Sequence, residues 1–380
     1  MKGLRPTTAH IDPSALVSNF ELAQRLASGR EVIGVVKADA YGHGAVRVTR
    51  RLAAAGCRRF AVMTAAEGGA LREAGLLGSI LVLGGVHDAA EAADVAALDL
   101  TPVVHHAGHV SLLRRAARES GRPLAVHLSV DTGMARMGVS PEDGPAFMAQ
   151  LAEERGLQLE GVYTHLCCAD EPDLEVSRAQ LRLFAEVLAA ARSRGVRPPC
   201  VHVANSAALL AAAALEADLP AEVNAVRPGL MLYGAAPRPD LPEAASLRPV
   251  MQLRTRVAAV RWVRPGETVG YGRSWQARQR GRIATVPVGY ADGIPWSLAN
   301  RGVALLRGRR VPYAGRVSMD LVTLDVGEAP VEIGDPVVLF GPGLDGEGLL
   351  PVEELAALAG TLAYELLVRV GGRVPRVEAR

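Results

Sequence analysis

The sequence predicts an α/β protein: an N-terminal (β/α)8 TIM-like barrel followed by a C-terminal, mainly β domain. Three observations carry this. Short apolar runs of strand length alternate with Ala/Leu/Arg-rich stretches of helical length through the first two-thirds of the chain. Roughly eight such pairs fit into about 230 residues, the count and size of a closed barrel. Beyond Gly234 the pattern changes to strand-length runs punctuated by glycine and proline, with a long helical stretch only near the end. An open doubly wound sheet is the rival arrangement of the same units.

The barrel strands are expected at 32–36, 60–63, 80–83, 103–104, 124–130, 162–164, 201–203 and 226–230. Between most of them, 44–55, 107–119, 141–155, 174–194 and 206–215 have helical length and composition. Segment 235–242 (AAPRPDLP) reads as a linker or long turn. The run 251–263 then shows much of the alternation of a half-buried strand. Strand-like runs follow at 281–288, 303–306, 322–326 and 337–340, and one helix at 352–367. The division is placed at residues 1–236 and 237–380, with the first ~10 residues open to joining the β domain, because pattern fixes boundaries only to within a few residues.

The chain has 380 residues, 49% of them hydrophobic, enough for a sizeable core and too many for wholesale disorder. A net charge of +2, from 42 basic and 40 acidic residues, excludes the basic excess of a dedicated nucleic-acid binder. No run approaches the roughly 18 apolar residues of a membrane span, and the N-terminal twenty residues lack the apolar centre of a secretory signal. Cys57, Cys167, Cys168 and Cys200 form no C-x-x-C pair and read as small buried hydrophobes in a reducing compartment. The expected location is the cytoplasm. No metal-ligand spacing stands out.

Of the 42 basic residues only Lys2 and Lys37 are lysines. Lys37 ends an apolar strand in VIGVVKADAYGHG (32–44). Strand C-termini form the active face of a barrel, so Lys37 is expected at the rim of a pocket. Apolar surroundings lower an amine's pKa and make it a Schiff-base nucleophile. The bland alternative is a lysine that snorkels to solvent.

VVKADAYGHG resembles the pyridoxal-phosphate lysine motif of alanine racemases. The resemblance continues through VDTGMARMG (130–138), THL (164–166), NSAA (205–208), RPGLMLYG (227–234), VGYGRSW (269–275), GYADG ending at Gly293, GRVSMD (315–320), and YE with RVPR near the C-terminus. It implies a barrel that binds pyridoxal phosphate, followed by a β domain. It further implies a homodimer whose β domains complete each other's sites, acting on L- and D-alanine to supply D-alanine for peptidoglycan. Partners beyond the amino-acid substrate and a second copy, whether nucleic acid or membrane, are not expected.

By the same resemblance Lys37 forms the internal aldimine, and Lys37 and Tyr271 are the two acid/base groups at the substrate Cα. Racemisation needs one such group on each face of a planar carbanion. A phenol's usual pKa is near 10, so Tyr271 needs neighbours that favour the phenolate. The family supplies His165, linked to Arg227. Arg227 faces the pyridine nitrogen and, being a donor that is not deprotonated, bonds it without protonating it. Tyr41, Ser206, the backbone of Gly229 and Leu230, and Tyr364 serve the phosphate. Arg136 and the Met319 N–H serve the substrate carboxylate. His202 buttresses Arg227, while Tyr290, Asp170 and Trp296 lie along the substrate channel. Each has a bland reading: Ser206 as a helix N-cap, Met319 as core, His202 as a strand histidine, Tyr271 as a turn aromatic.

Two positions depart from the family pattern. Ser129 stands where many relatives carry a carbamylated lysine, so a small anion such as chloride, or another acidic side chain, is expected to compensate near Arg136. Trp296 stands near a usual arginine, which makes the channel mouth more apolar and leaves room for serine as a substrate. A broad-specificity racemase or a decarboxylase of the same barrel type is the nearest functional alternative. A regulatory barrel without turnover is disfavoured by residues 251–380.

Overall fold

The structure, a computed structural model, describes residues 5–379. β1 (Thr8–Ile11) precedes the barrel and lies outside it. β2 (Glu31–Val35), β3 (Arg59–Val62), β4 (Ser79–Val82), β5 (Thr101–Val104), β6 (Leu124–Ser129), β7 (Leu157–Tyr163), β8 (Cys200–His202) and β9 (Ala225–Val226) pair in parallel in that order. β9 returns to β2 through Glu31/Ala225 and Val32/Val226, and this closure decides for the barrel over the open sheet.

Local chemistry starts and stops the helices between the strands. Asp12 caps the helix Pro13–Leu26, with proline in its first turn. Thr64 and Glu67 form a reciprocal capping box at the helix Ala65–Glu73. Gly121 ends the helix Ala107–Ser120 in the left-handed region.

Downstream come β10 (Met251–Arg256), β11 (Ala259–Val263), β12 (Thr268–Val269), β13 (Trp275–Gln276), β14 (Gly281–Val286), β15 (Val303–Leu306), β16 (Arg309–Pro312), β17 (Val322–Gly327), β18 (Pro336–Pro342), β19 (Leu349–Leu350) and β20 (Arg376–Glu378). The large sheet runs β16-β15-β18-β10-β1-β20, with β19 beside β18. A three-stranded sheet runs β11-β14-β17, and β12 pairs with β13. β1 sits between β10, antiparallel, and β20, parallel, so the chain's first strand is stitched into its last sheet. One apolar core runs through both parts of the fold. Among the described residues no helix is long and apolar enough to cross a membrane.

Four expected elements differ, among them the helix expected over 206–215, which is two, Ser206–Leu210 and Ala212–Leu215. The run 251–263 is two strands, β10 and β11, in different sheets. The strand expected over 226–230 stops at Val226 and is followed by a 3-10 turn, Leu230–Tyr233. Pro228 has no N–H to extend a ladder. The helix expected over 352–367 is two, Val352–Ala359 and Ala363–Arg369, because Gly360 takes a φ of 71° and ends the first.

The chain leaves β2 in an unusual way. Ala38, Asp39, Ala40 and Tyr41 all have φ between 51° and 54°, a left-handed turn directly after Lys37. Such a turn costs roughly 1–2 kcal/mol per non-glycine residue. Its surroundings hold it. The Ala38 N–H donates to Glu67 Oε1 (2.7 Å) and the Ala45 N–H to Asp39 Oδ1 (2.7 Å), and the Tyr41 ring stacks on Tyr233 at 4.8 Å. Gly42 follows at φ +80°, where a Cβ would lie 2.3 Å from the Leu367 carbonyl oxygen. Gly42→Ala is therefore expected to destabilise the protein by about 2 kcal/mol or more in denaturant unfolding. A loss within about 0.5 kcal/mol would show that the helix at Leu367 gives way freely.

Candidate active site

The C-terminal ends of the barrel strands open on a cavity of about 520 Å³. Lys37 reaches it from the end of β2, Arg136 from the loop after β6, His165 from the end of β7, Ser206 from after β8, and Arg227 from after β9. Tyr364, on the helix Ala363–Arg369, closes one side. Functional side chains at strand C-termini are what a parallel barrel presents by construction.

Lys37 is the one lysine among the described residues, and it is partly buried. Burial, then the nearby Arg136 guanidinium, hold its pKa below the usual amine value, while Glu67 acts the other way. The amine is thus a better nucleophile and base near neutral pH than a surface lysine.

Hydroxyls also line the cavity. Ser206 Oγ accepts from the N–H groups of Gly229 (2.9 Å) and Met231 (3.2 Å), which leaves its own proton to donate. Tyr41 approaches so closely that a Cβ at residue 229 would lie 2.4 Å from its hydroxyl, so glycine is required there. Burial raises the Tyr41 pKa and pushes that of Tyr364 up to about 12, so both phenols remain donors. Asn205 caps the helix Ser206–Leu210 through the Ala208 N–H, which spares Ser206 the capping role.

Arg227 is buried at the centre of this arrangement. It donates through Nη1 to His202 Nδ1 (2.6 Å) and through Nη2 to the Thr164 carbonyl (2.9 Å) and His165 Nδ1 (3.3 Å). Its guanidinium lies 4.4 Å over the Tyr163 ring. Burial lowers its pKa to about 10, still far enough above neutrality to keep it charged. Because a guanidinium only donates, His165 and His202 must each present a bare Nδ1 and carry their proton on Nε2. Burial first, and the nearby cations next, press the His165 pKa down to about 3, so its ring is neutral. Three of the five Arg227 N–H groups are used, leaving Nε–H and one Nη1–H.

Residues 11–237 match the alanine racemase N-terminal domain family and residues 250–378 the alanine racemase C-terminal domain family. An alanine racemase of Sorangium cellulosum is 43% identical over 385 residues, covering 98% of this chain and 99% of that protein. An alanine racemase of Geobacter sp. strain M21 is 43% identical, covering 97% of each. The crystal structure of alanine racemase from the D-cycloserine producer Streptomyces lavendulae superposes with a TM-score of 0.92 at 36% identity, covering 100% of this chain and 98% of that one. The chain belongs to the alanine racemase family.

Not every residue named for the family's site lies in this cavity. Lys37, Tyr41, Arg136, His165, Ser206, Arg227, Gly229, Leu230 and Tyr364 do. His202 lies one layer behind, against Arg227. Asp170 is close enough to raise the Tyr364 pKa. Tyr271, Met319 and Trp296 are not among the lining residues and are 72%, 53% and 56% exposed, and Tyr290 is likewise exposed. The Gly229 N–H is taken by Ser206 Oγ, so at this residue the cradle offers closeness more than a free donor.

The alternative of an acidic side chain compensating Arg136 is not met. Among the described residues no carboxylate pairs with its guanidinium; the nearest in sequence, Asp131, accepts from the backbone N–H groups of Gly133, Ala135 and Arg136 itself. Sequence reading missed Tyr163, the platform under Arg227, and His105, which also lines the cavity. The only signal for Tyr163 was an aromatic directly before THL in a chain with 4% aromatics.

Arg136→Gln removes a cation that disfavours the Lys37 ammonium, so it is expected to raise the pH at which Lys37 becomes reactive. Labelling of cofactor-free protein with an amine reagent, followed by mass spectrometry of the Lys37 peptide across pH, reads this. An unmoved or lowered midpoint would refute the coupling.

Proposed function

We propose that this chain interconverts L-alanine and D-alanine as a cytoplasmic homodimer, holding pyridoxal phosphate and supplying D-alanine for peptidoglycan. One observation carries the reading: Lys37, with a depressed pKa, shares one cavity with three hydroxyl donors and a buried, charged Arg227. That donor set fits the cofactor. Lys37 would hold its aldehyde, Ser206, Tyr41 and Tyr364 its phosphate, and a remaining Arg227 N–H its ring nitrogen. The four free thiols accord with a reducing compartment.

When bound, pyridoxal phosphate supplies an electron sink for the pair released as the Cα–H bond breaks. The remaining work belongs to side chains. Lys37 Nζ takes or returns the proton on one face of Cα, and Tyr271 Oη does so on the other. Two groups are needed because one base would return the proton to the face it came from. His165, neutral with its proton on Nε2, donates toward the Tyr271 oxygen. Arg136 and the Met319 N–H hold the substrate carboxylate. A small anion beside Ser129 balances Arg136. Arg227, a donor only, would hold the ring nitrogen by a hydrogen bond without giving it a proton, and so would weaken the sink in favour of proton return.

The exposure of Tyr271 supports the dimer. A phenol that must face Cα stands in solvent in the single chain, together with Met319, Tyr290 and Trp296 and the apolar Leu321 and Leu362. A second copy covers them and delivers Tyr271. The division at residues 1–236 and 237–380 then separates the part that holds the cofactor from the part that serves the partner, with β1 belonging to the latter.

The test is racemisation by the protein reconstituted with pyridoxal phosphate, with Cα exchange followed in deuterated water. Lys37→Ala and Tyr271→Phe are each expected to lose at least ~10³-fold in racemisation, with unequal residual exchange from the two enantiomers. Mixing the two inactive variants is expected to restore activity, since a mixed dimer contains one intact site. Equal effects on both enantiomers, or no restoration on mixing, would sink the two-base dimer.

A further inference from the structure

Behind Arg227 the barrel interior holds polar groups that the mechanism above does not use. His202 Nε2 lies 2.8 Å from His127 Nδ1, and His127 Nε2 lies 3.9 Å from Glu160 Oε2. Glu160 is held by Arg59 (2.7 Å), which also pairs with Glu31 (2.9 Å). Both histidines are buried, and burial together with Arg59 and Arg227 keeps them neutral. Donor logic then runs one way. Arg227 donates to His202 Nδ1, so the His202 proton is on Nε2. That proton can only go to His127 Nδ1, so the His127 proton is on Nε2, which makes no hydrogen bond of its own, Glu160 Oε2 being 3.9 Å away. The space for His127 comes from Gly161, where a Cβ would lie 2.4 Å from the imidazole.

Ligand atoms of His127, Cys200 and His202 come within 4.8 Å of one another, close enough to hold a metal ion. Two guanidiniums bear on this cluster, and both His202 nitrogens are committed. A cation is therefore the poorer reading.

We propose that His127 and His202 form a directed hydrogen-bond chain behind Arg227, with His127 a positioning residue that locks His202 as the acceptor for Arg227. Without an acceptor at His127, the His202 Nε2–H is buried with no partner, and only Arg227 still opposes the other tautomer. The other tautomer turns an N–H toward Arg227, donor against donor, and the guanidinium loses its orientation. The tautomer assignment stands on geometry alone, whereas its consequence for the cofactor rests on the function proposed above.

His127→Asn places an amide oxygen near the lost Nδ1 and keeps an acceptor; His127→Leu removes it. In histidine-15N-labelled protein loaded with pyridoxal phosphate, His202 is expected to show the Nε2–H pattern in the wild type and in His127→Asn, and to lose it in His127→Leu. Pyridoxal-phosphate affinity, measured by titration, is expected to fall about tenfold in His127→Leu and to stay within about threefold of the wild type in His127→Asn. A wild-type His202 protonated on Nδ1 overturns the chain whether or not His127→Leu folds. So does a His127→Leu protein with wild-type affinity, or a His127→Asn protein as weak as His127→Leu, which would make the role packing alone. A wild-type protein that fails to racemise alanine would sink the proposed function and leave the tautomer measurement standing.

Discussion

The site depends on a guanidinium that can only donate. Arg227 is buried on the segment that follows the closing strand β9, and it organises acceptors around itself: one carbonyl and two imidazoles. Burying a charge without partners is prohibitive, so these acceptors are a condition of the fold as well as of the chemistry. The tautomers of His165 and His202 follow from this single fact. So does the separation of roles, with one imidazole facing the cavity and the other facing the barrel interior.

The second constraint is backbone strain at Lys37. Four consecutive left-handed residues place Tyr41 beside Gly229 and Ser206 within a few residues of the amine. A regular helix after β2 would carry Tyr41 elsewhere. The strain is offset by contacts that belong to other parts of the chain: Glu67 from the neighbouring unit, Tyr233 from the turn after β9, and the Leu367 carbonyl against Gly42. Strain of this kind persists where the surroundings over-determine the conformation, and here they do so directly after Lys37.

The fold class was legible because it rests on periodicity. Strand runs and helical stretches are local, and the count of eight pointed to a closed barrel. Misreadings fell where one residue interrupts a pattern: Pro228 cutting short β9, Gly360 dividing the last helix, and the break between β10 and β11. The site was legible to the extent that its residues end strands. Lys37, His165, Ser206 and Arg227 lie just beyond strand ends and Arg136 in the loop after β6, and all face one cavity.

The sequence by itself determined the alternation that makes a barrel, the lone internal lysine at a strand end, and the motifs in family order. These are properties of neighbours along the chain, and nearest-neighbour chemistry encodes them. Tertiary structure alone decided the closure of β9 on β2, the capture of β1 by the last sheet, the left-handed turn after Lys37, and the stack of Tyr163, Arg227, His202 and His127. Each of these joins residues far apart in sequence, and a hydrogen bond between remote groups has a direction only once both are held in place.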